Sequence, residues 1–302
     1  EREGVLSFSA IANDRENELI VARDDLRDDA DPTDAEMRLF VHAANFRRMR
    51  RAASPTEYVP VVSFVGPTGA GKSTLIRSLS PVKAPVIAFD EQQIPTTSNV
   101  NSFESSGFGG LGRVRLLDLE GDDGGLPLME YLKNFRPEAG VEGLTQDDVN
   151  SFVKQVFAEY DSAELGKYME KRKRVTKILL PRLCYILSDV VVYVNTVPAK
   201  RESEYLERVQ EFVQRSQAGV ASAEAPSLIL VRNVCPRRAK PFGVAEATED
   251  FFTFIDRERR LTESYRTVDF VKIPDNEYDG LYEEQINTFR ATLAGGLKER
   301  GV

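Results

Sequence analysis

Residues 61–79 read VVSFVGPTGAGKSTLIRSL, and the fold follows from how these nineteen positions divide. The first five, Val61 to Val65, are a short β-branched and aromatic run bounded by glycine, the composition of a buried strand. The last seven place Leu75, Ile76 and Leu79 at helical spacing on one face. Between them Gly66 to Ser73 matches G-x-x-x-x-G-K-[ST] in the strand–loop–helix setting that the pattern requires. Glycines let backbone amides approach an anion, and the helix that follows aims its positive dipole end at the same point. Gly66, Pro67, Thr68, Gly69, Ala70, Gly71, Lys72, Ser73 and Thr74 therefore form a phosphate cradle. In it Lys72 supplies a point charge toward the β- and γ-phosphates, and the Ser73 hydroxyl is placed to ligate Mg²⁺.

Two further segments complete such a site. In RVRLLDLEG, residues 113–121, an apolar strand delivers Asp118 at its end, where a carboxylate can hold magnesium, and Asp118 to Gly121 spells D-x-x-G. The Gly121 amide is then positioned to face a γ-phosphate. Upstream lies IPTTSNV, in the segment where a threonine would meet magnesium through its hydroxyl and the γ-phosphate through its amide. Thr96 and Thr97 are both candidates, with Thr97 preferred. Lys72, Thr97 and Asp118 make the catalytic set and Ser73, Thr97 and Asp118 the metal set. Glu120 and Asp122 lie nearby, and nothing identifies the residue that positions an attacking water.

Outward from this stretch the chain alternates β-branched runs with helical ones, the signature of a mostly parallel sheet covered by helices. The runs are VPVVSFV, RVRLLDL, DVVVYVN, SLILVRN and VDFVKIP, with a further strand near Asn99 to Glu104. A helical insertion spans about 145–187, and its KYMEKRKR segment reads as a solvated basic face or a partner patch. The Gly-rich FESSGFGGLG and GDDGGLP segments read as mobile switch loops. Residues 1–33 carry ten acidic and four basic side chains around VLSFSAI and ELIVA, and read as an acidic arm. After Pro32 a T-x-x-E capping box, Thr33 to Glu36, predicts a helix through Met37, Phe40, Val41 and Ala44 that ends in Arg47, Arg48, Arg50 and Arg51. His42 reads as a packing or surface residue of that helix. The expected organisation is an acidic arm over 1–33 and one nucleotide-binding domain over 34–302.

Composition narrows the classes. The chain has 302 residues, 41% hydrophobic and 29% charged, and a net charge of −8, which argues against a general nucleic-acid binder. Cys184 and Cys235 are too few for a disulfide framework or a four-ligand zinc site. The most apolar region, residues 178–199, is interrupted by Arg182 and Asp189, so it is not a membrane span. A cytoplasmic protein, peripheral to a membrane only through regions or partners not evident here, is the expectation.

On its GPTGAGKS and D-x-E-G motifs (Asp118, Leu119, Glu120, Gly121), the chain resembles the GTPase domain of P-loop GTPases. The guanylate-binding and atlastin branch of the dynamin superfamily is the nearest likeness. The resemblance covers roughly residues 59 to 295. It implies a three-layer α/β P-loop NTPase fold with a mostly parallel central sheet, a helical insertion and an N-terminal helix. It also implies a base-reading motif at the end of SLILVRN, at Arg232 and Asn233, and a nucleotide-dependent homodimer. Two departures stand out. Gly69 occupies the position where that branch carries an internal arginine finger, and Asn233 stands where an Asp would select guanine. The expected function is magnesium-dependent binding and hydrolysis of a nucleoside triphosphate, slow for the chain alone, with GTP favoured by the resemblance. An ATP-specific hydrolase of the same fold, or a non-hydrolysing nucleotide-gated interaction module, is the alternative.

Overall fold

The computed structural model describes residues 17–24, 37–52, 58–80, 97–106, 108, 111–122, 124, 125, 127, 130, 151, 154, 158, 163–196, 202–216, 225–237, 239–254 and 259–298. Its strands are β1 (Glu18–Asp24), β2 (Met37–Val41), β3 (Val61–Val65), β4 (Val100–Ser106), β5 (Arg113–Leu119), β6 (Val190–Asn195), β7 (Ser227–Cys235) and β8 (Val268–Pro274). The helices are α1 (Ala43–Ala52), α2 (Lys72–Leu79), α3 (Ala163–Arg174), α4 (Leu180–Leu187), α5 (Glu202–Ser216), α6 (Val244–Phe254), α7 (Arg259–Ser264) and α8 (Asp279–Lys298). A π-helical turn, Val175–Leu179, joins α3 to α4.

All eight strands share one sheet in the order β2-β1-β4-β5-β3-β6-β7-β8. The pairs from β5 through β3, β6 and β7 to β8 are parallel, and the β2-β1-β4-β5 side is antiparallel. The sheet is central because both faces are apolar. In β6, Val190, Val192 and Val194 enter a core formed with Leu75, Ile76 and Leu79 of α2 and Phe289 and Leu293 of α8. Val191 and Tyr193 point to the other face, where Tyr185, Tyr205, Phe212, Phe251 and Leu261 of α4 to α7 cover them. This period-2 division with helices on both sides gives a three-layer α/β fold, as the alternating runs imply. Asp189, fully buried at the head of β6, accepts hydrogen bonds from Val61 N (2.8 Å) and Tyr58 Oη (2.6 Å) and so ties the starts of β3 and β6 together.

The structure departs from the sequence expectations on the antiparallel side. ELIVA is not part of a separate arm but lies in β1, hydrogen-bonded in the interior of the sheet between β2 and β4. VLSFSAI lies outside the described residues. Met37–Val41, expected as the first turns of a helix, is strand β2, registered against β1 from Ile20↔Val41 to Asp24↔Met37. Met37, Leu39 and Val41 fit the strand period while Met37, Phe40 and Val41 fit the helical one, and the backbone partners of β1 decide between them. The helix begins only at Ala43, where His42 Nδ1 accepts from Asn45 N (3.4 Å). Of FESSGFGGLG, Gly107, Gly109 and Gly110 lie outside the described residues. Phe103 to Ser106 close β4, with Ser106 opposite Arg113 and Phe108 1% exposed in the core, at the end of the sheet away from Asp118.

Candidate functional site

The cradle forms where β3 ends. Gly66, Gly69 and Gly71 all have positive φ (137°, 77° and 89°). At Gly66 no other residue fits, since a Cβ there would lie 2.1 Å from the Val194 carbonyl oxygen. Lys72 opens α2, and its Nζ donates to the carbonyls of Gly66 and Pro67, both at 2.9 Å, so its charge is held over the inside of the loop. It is 6% exposed, and burial lowers its pKa against the pull of Asp118, Asp122 and Glu120. Asp118 is 0% exposed, and burial raises its carboxyl pKa against Lys72 and the hydroxyls of Ser73 and Thr97. Both shifts express one fact: each charge sits where water cannot solvate it and a counter-charge would.

The three proposed metal residues come together. Ser73 Oγ donates to Asp118 Oδ2 at 2.6 Å, Thr97 Oγ1 donates to the same oxygen at 3.2 Å, and the two hydroxyls lie 3.2 Å apart. The other carboxylate oxygen, Asp118 Oδ1, is buried and has no hydrogen-bond partner. One carboxylate and two hydroxyls are hard oxygen donors that fit Mg²⁺, an ion that keeps several waters and takes phosphate oxygens to complete its shell. Among the described residues no group of three His, Cys, Asp or Glu side chains could hold a metal by itself. Thr96 lies outside the described residues.

Gly121 lies against Thr68 of the Gly66–Ser73 loop. Thr68 N donates to Asp122 O at 2.9 Å, and Pro67 and Asp122 form a parallel bridge that extends the β3–β5 pairing. A Cβ on Gly121 would come within 2.5 Å of Thr68 N, so a side chain would push the two loops apart. Thr74 is exposed on the first turn of α2.

Arg232 and Asn233, expected to read the base, divide between two faces of β7. Asn233 turns to the cradle side, where its Nδ2 donates to the Ala70 carbonyl at 3.0 Å. A Cβ on Gly71 would lie 2.3 Å from that same Nδ2, so the amide braces the phosphate loop from behind. Arg232 alternates to the opposite face, 6% exposed, with Cζ 4.6 Å above the Tyr205 ring and 5.5 Å above Phe270. It packs over those rings, on the face of β7 away from the Gly66–Ser73 loop.

The sequence reading missed a second, buried layer. Arg172, within the run read as a solvated basic face, is 3% exposed and donates through Nε to Glu120 Oε1 at 3.0 Å, with Nη2 closing on Glu120 Oε2. Nη2 also donates to Asn99 Oδ1 at 2.8 Å, and Nη1 lies 3.6 Å from Glu130 Oε2. Burial opposes the Arg172 charge, but Glu120 and Glu130 outweigh it and hold its pKa above the usual arginine value. A signal was present: Leu165, Met169, Arg172 and Thr176 fall on one helical stripe, and all four are buried.

No protein-family model and no curated protein matches the chain. In shape it is similar to the bacterial selenocysteine-specific elongation factor EF-Sec, at 11% identity and a TM-score of 0.38. It is also similar to Era of Aquifex aeolicus bound to GDP and aluminium fluoride, at 15% identity and a TM-score of 0.36. The matches cover 77% and 76% of this chain, but only 28% of the elongation factor and 57% of Era, so it spans under two thirds of either.

Proposed function

We propose that this chain binds a nucleoside triphosphate with magnesium at the Gly66–Ser73 loop and hydrolyses it, with GTP the favoured nucleotide. The convergence of Ser73, Thr97 and Asp118 within 3.2 Å at the mouth of that loop carries the reading. The loop amides and the α2 N-terminus bind the phosphate chain, and Lys72 exchanges its loop carbonyls for β- and γ-phosphate oxygens. Ser73, Thr97 and Asp118 would hold Mg²⁺, which when bound spreads the charge that develops on the transferred phosphoryl group. Gly121, held against Thr68, presents its amide to the γ-phosphate side.

Guanine preference rests on the family resemblance, since Asn233 spends an amide hydrogen on Ala70 rather than presenting a base-selective acceptor pair. Nucleotide-dependent self-association is part of the same proposal and would make the rate of phosphate release rise with protein concentration. The non-hydrolysing module is a second reading, supported by Glu120: both its carboxylate oxygens are bonded to Arg172 or Asn99, so it does not position a water.

The test is a titration of the full chain with fluorescent GTP and ATP analogues in magnesium, alongside Lys72→Ala, followed by phosphate release on whichever nucleotide binds. Wild type binds GTP analogues more tightly than ATP analogues, and Lys72→Ala stays folded but loses triphosphate affinity at least tenfold. Unchanged affinity in the folded variant refutes the site.

A further inference from the structure

We propose that Arg172 is a positioning residue for this phosphate site, clamping together the two chain segments that carry Thr97 and Asp118 and linking them to the helical insertion. The inference rests on the function proposed above and deepens it.

Thr97 and Asp118 are each two residues short of a buried polar contact. Asn99 N donates to Glu120 Oε2 at 2.7 Å, and Glu120 N donates to Asn99 O at 2.8 Å. The two segments are thus locked to each other just behind the metal residues. Asn99 holds a left-handed φ of 58°, an uncommon conformation for a side-chain-bearing residue. Its amide makes four contacts that justify the strain. Nδ2 donates to Glu18 Oε1 (2.7 Å) and Glu130 Oε1 (2.8 Å), while Oδ1 accepts from Ala22 N (2.9 Å) and Arg172 Nη2 (2.8 Å). Glu18, Asn99, Glu120, Glu130 and Arg172 are each 6% exposed or less.

Charge makes Arg172 the keystone. Two buried carboxylates, Glu120 just past the end of β5 and Glu130 before α3, converge on one guanidinium, whose planar fork can serve Glu120 with two hydrogens and Asn99 at once, while Glu18 of β1 joins through the Asn99 amide. Without that fork Glu120 and Glu130 would be left buried with no counter-charge between them. Immediately after Arg174 the helix changes to the π-helical turn, whose Thr176 and Lys177 line a groove with Gly66 and Asp122. π-turns concentrate at functional sites, and this one places the clamp helix directly against the loops that would move with the γ-phosphate. A shift of Thr97 or Gly121 must pass through Asn99 or Glu120 to Arg172, and so to α3.

The experiment compares wild type with Arg172→Lys, which keeps the charge but loses the fork, and with the neutral pair Arg172→Gln/Glu120→Gln, which guards against misfolding from an uncompensated carboxylate. Each is measured for triphosphate and diphosphate affinity in magnesium, for kcat and KM, and, free of nucleotide, for amide hydrogen exchange. Both variants are expected to bind the diphosphate within about twofold of wild type. They should lose triphosphate preference and kcat at least tenfold, and exchange faster at amides 97–99 and 119–122 while β6 and β7 stay protected. Unaltered exchange at those amides in a folded variant overturns the clamp, as does a wild-type triphosphate-to-diphosphate ratio. Wild type that binds neither nucleotide instead refutes the proposed function. The nucleotide-free exchange then still decides whether Arg172 holds the two segments.

Discussion

Replacing Asp118 by Asn should make the empty protein more stable and the nucleotide-bound protein less so, and the crossing of the two effects is diagnostic. The Asn side chain has nearly the same shape, and its oxygen can accept the Ser73 and Thr97 hydrogen bonds that Oδ2 accepts at 2.6 and 3.2 Å. What disappears is a carboxylate that is 0% exposed, has one oxygen without a hydrogen-bond partner, and is held above the ordinary carboxyl pKa by burial. Leaving a buried acceptor unpaired costs about 1–3 kcal/mol, and removing the charge recovers about that much in the empty fold, where Lys72 keeps its two carbonyl acceptors. At about 2 °C per kcal/mol for a chain of this size, the melting temperature in EDTA should rise by roughly 2–6 °C. The sign with pH follows from the direction of the shift. A raised folded-state pKa means that the folded protein gains relative stability as Asp118 is protonated, below its folded pKa. The advantage of Asn is therefore largest near neutrality and shrinks as the pH falls into the carboxyl range. With magnesium and triphosphate at about 100 times Kd, wild type should gain about 2.7 kcal/mol, and the variant should gain almost none. Differential scanning fluorimetry with and without Mg·GTP reads both effects. A variant that melts several degrees below empty wild type, or that keeps the full magnesium-dependent shift, would refute the reasoning.

Asn233→Ala removes the brace on Ala70 O at 3.0 Å. It should weaken GTP and ATP analogues alike, by about fivefold to a hundredfold, as expected for losing a buried hydrogen bond of about 1–3 kcal/mol; a changed GTP-to-ATP ratio would show instead that Asn233 reads the base. Cys184 and Cys235 are both buried, and burial pushes the Cys184 thiol up to about 12, so a thiol reagent should label the native chain only at the rate of unfolding. Because that folded-state pKa is raised above its ordinary value of 9.0, the associated stability is complete below about pH 9 and is lost as the pH climbs toward 12. Urea melts across that interval should show the midpoint falling, and a midpoint that holds steady to pH 12 would count against a sealed thiol.

The chain's own pattern determined the parallel half of the sheet, because those strands need no context. VVSFV, VVVYVN and SLILVRN are short apolar runs punctuated by turns, and their two-sided burial was already written in their composition. The cradle was equally legible, since G-x-x-x-x-G-K-S is a local solution to a local problem: amides, a helix end and one ammonium brought to a single point. Asp118 reaches that loop for the same reason, as a carboxylate at the end of an apolar strand. Long-range pairing decided the rest. Met37–Val41 became a strand because β1 offered it backbone partners, which a capping signal four residues upstream cannot reveal. Arg232 and Asn233 are neighbours in sequence but face opposite sides of β7, and only the sheet's register says which of them meets the phosphate loop. Arg172 looked like one of four interchangeable cations. Its partners, Asn99, Glu120 and Glu130, come from segments up to 73 residues away, and a buried charge acquires its meaning only from the groups folding brings around it.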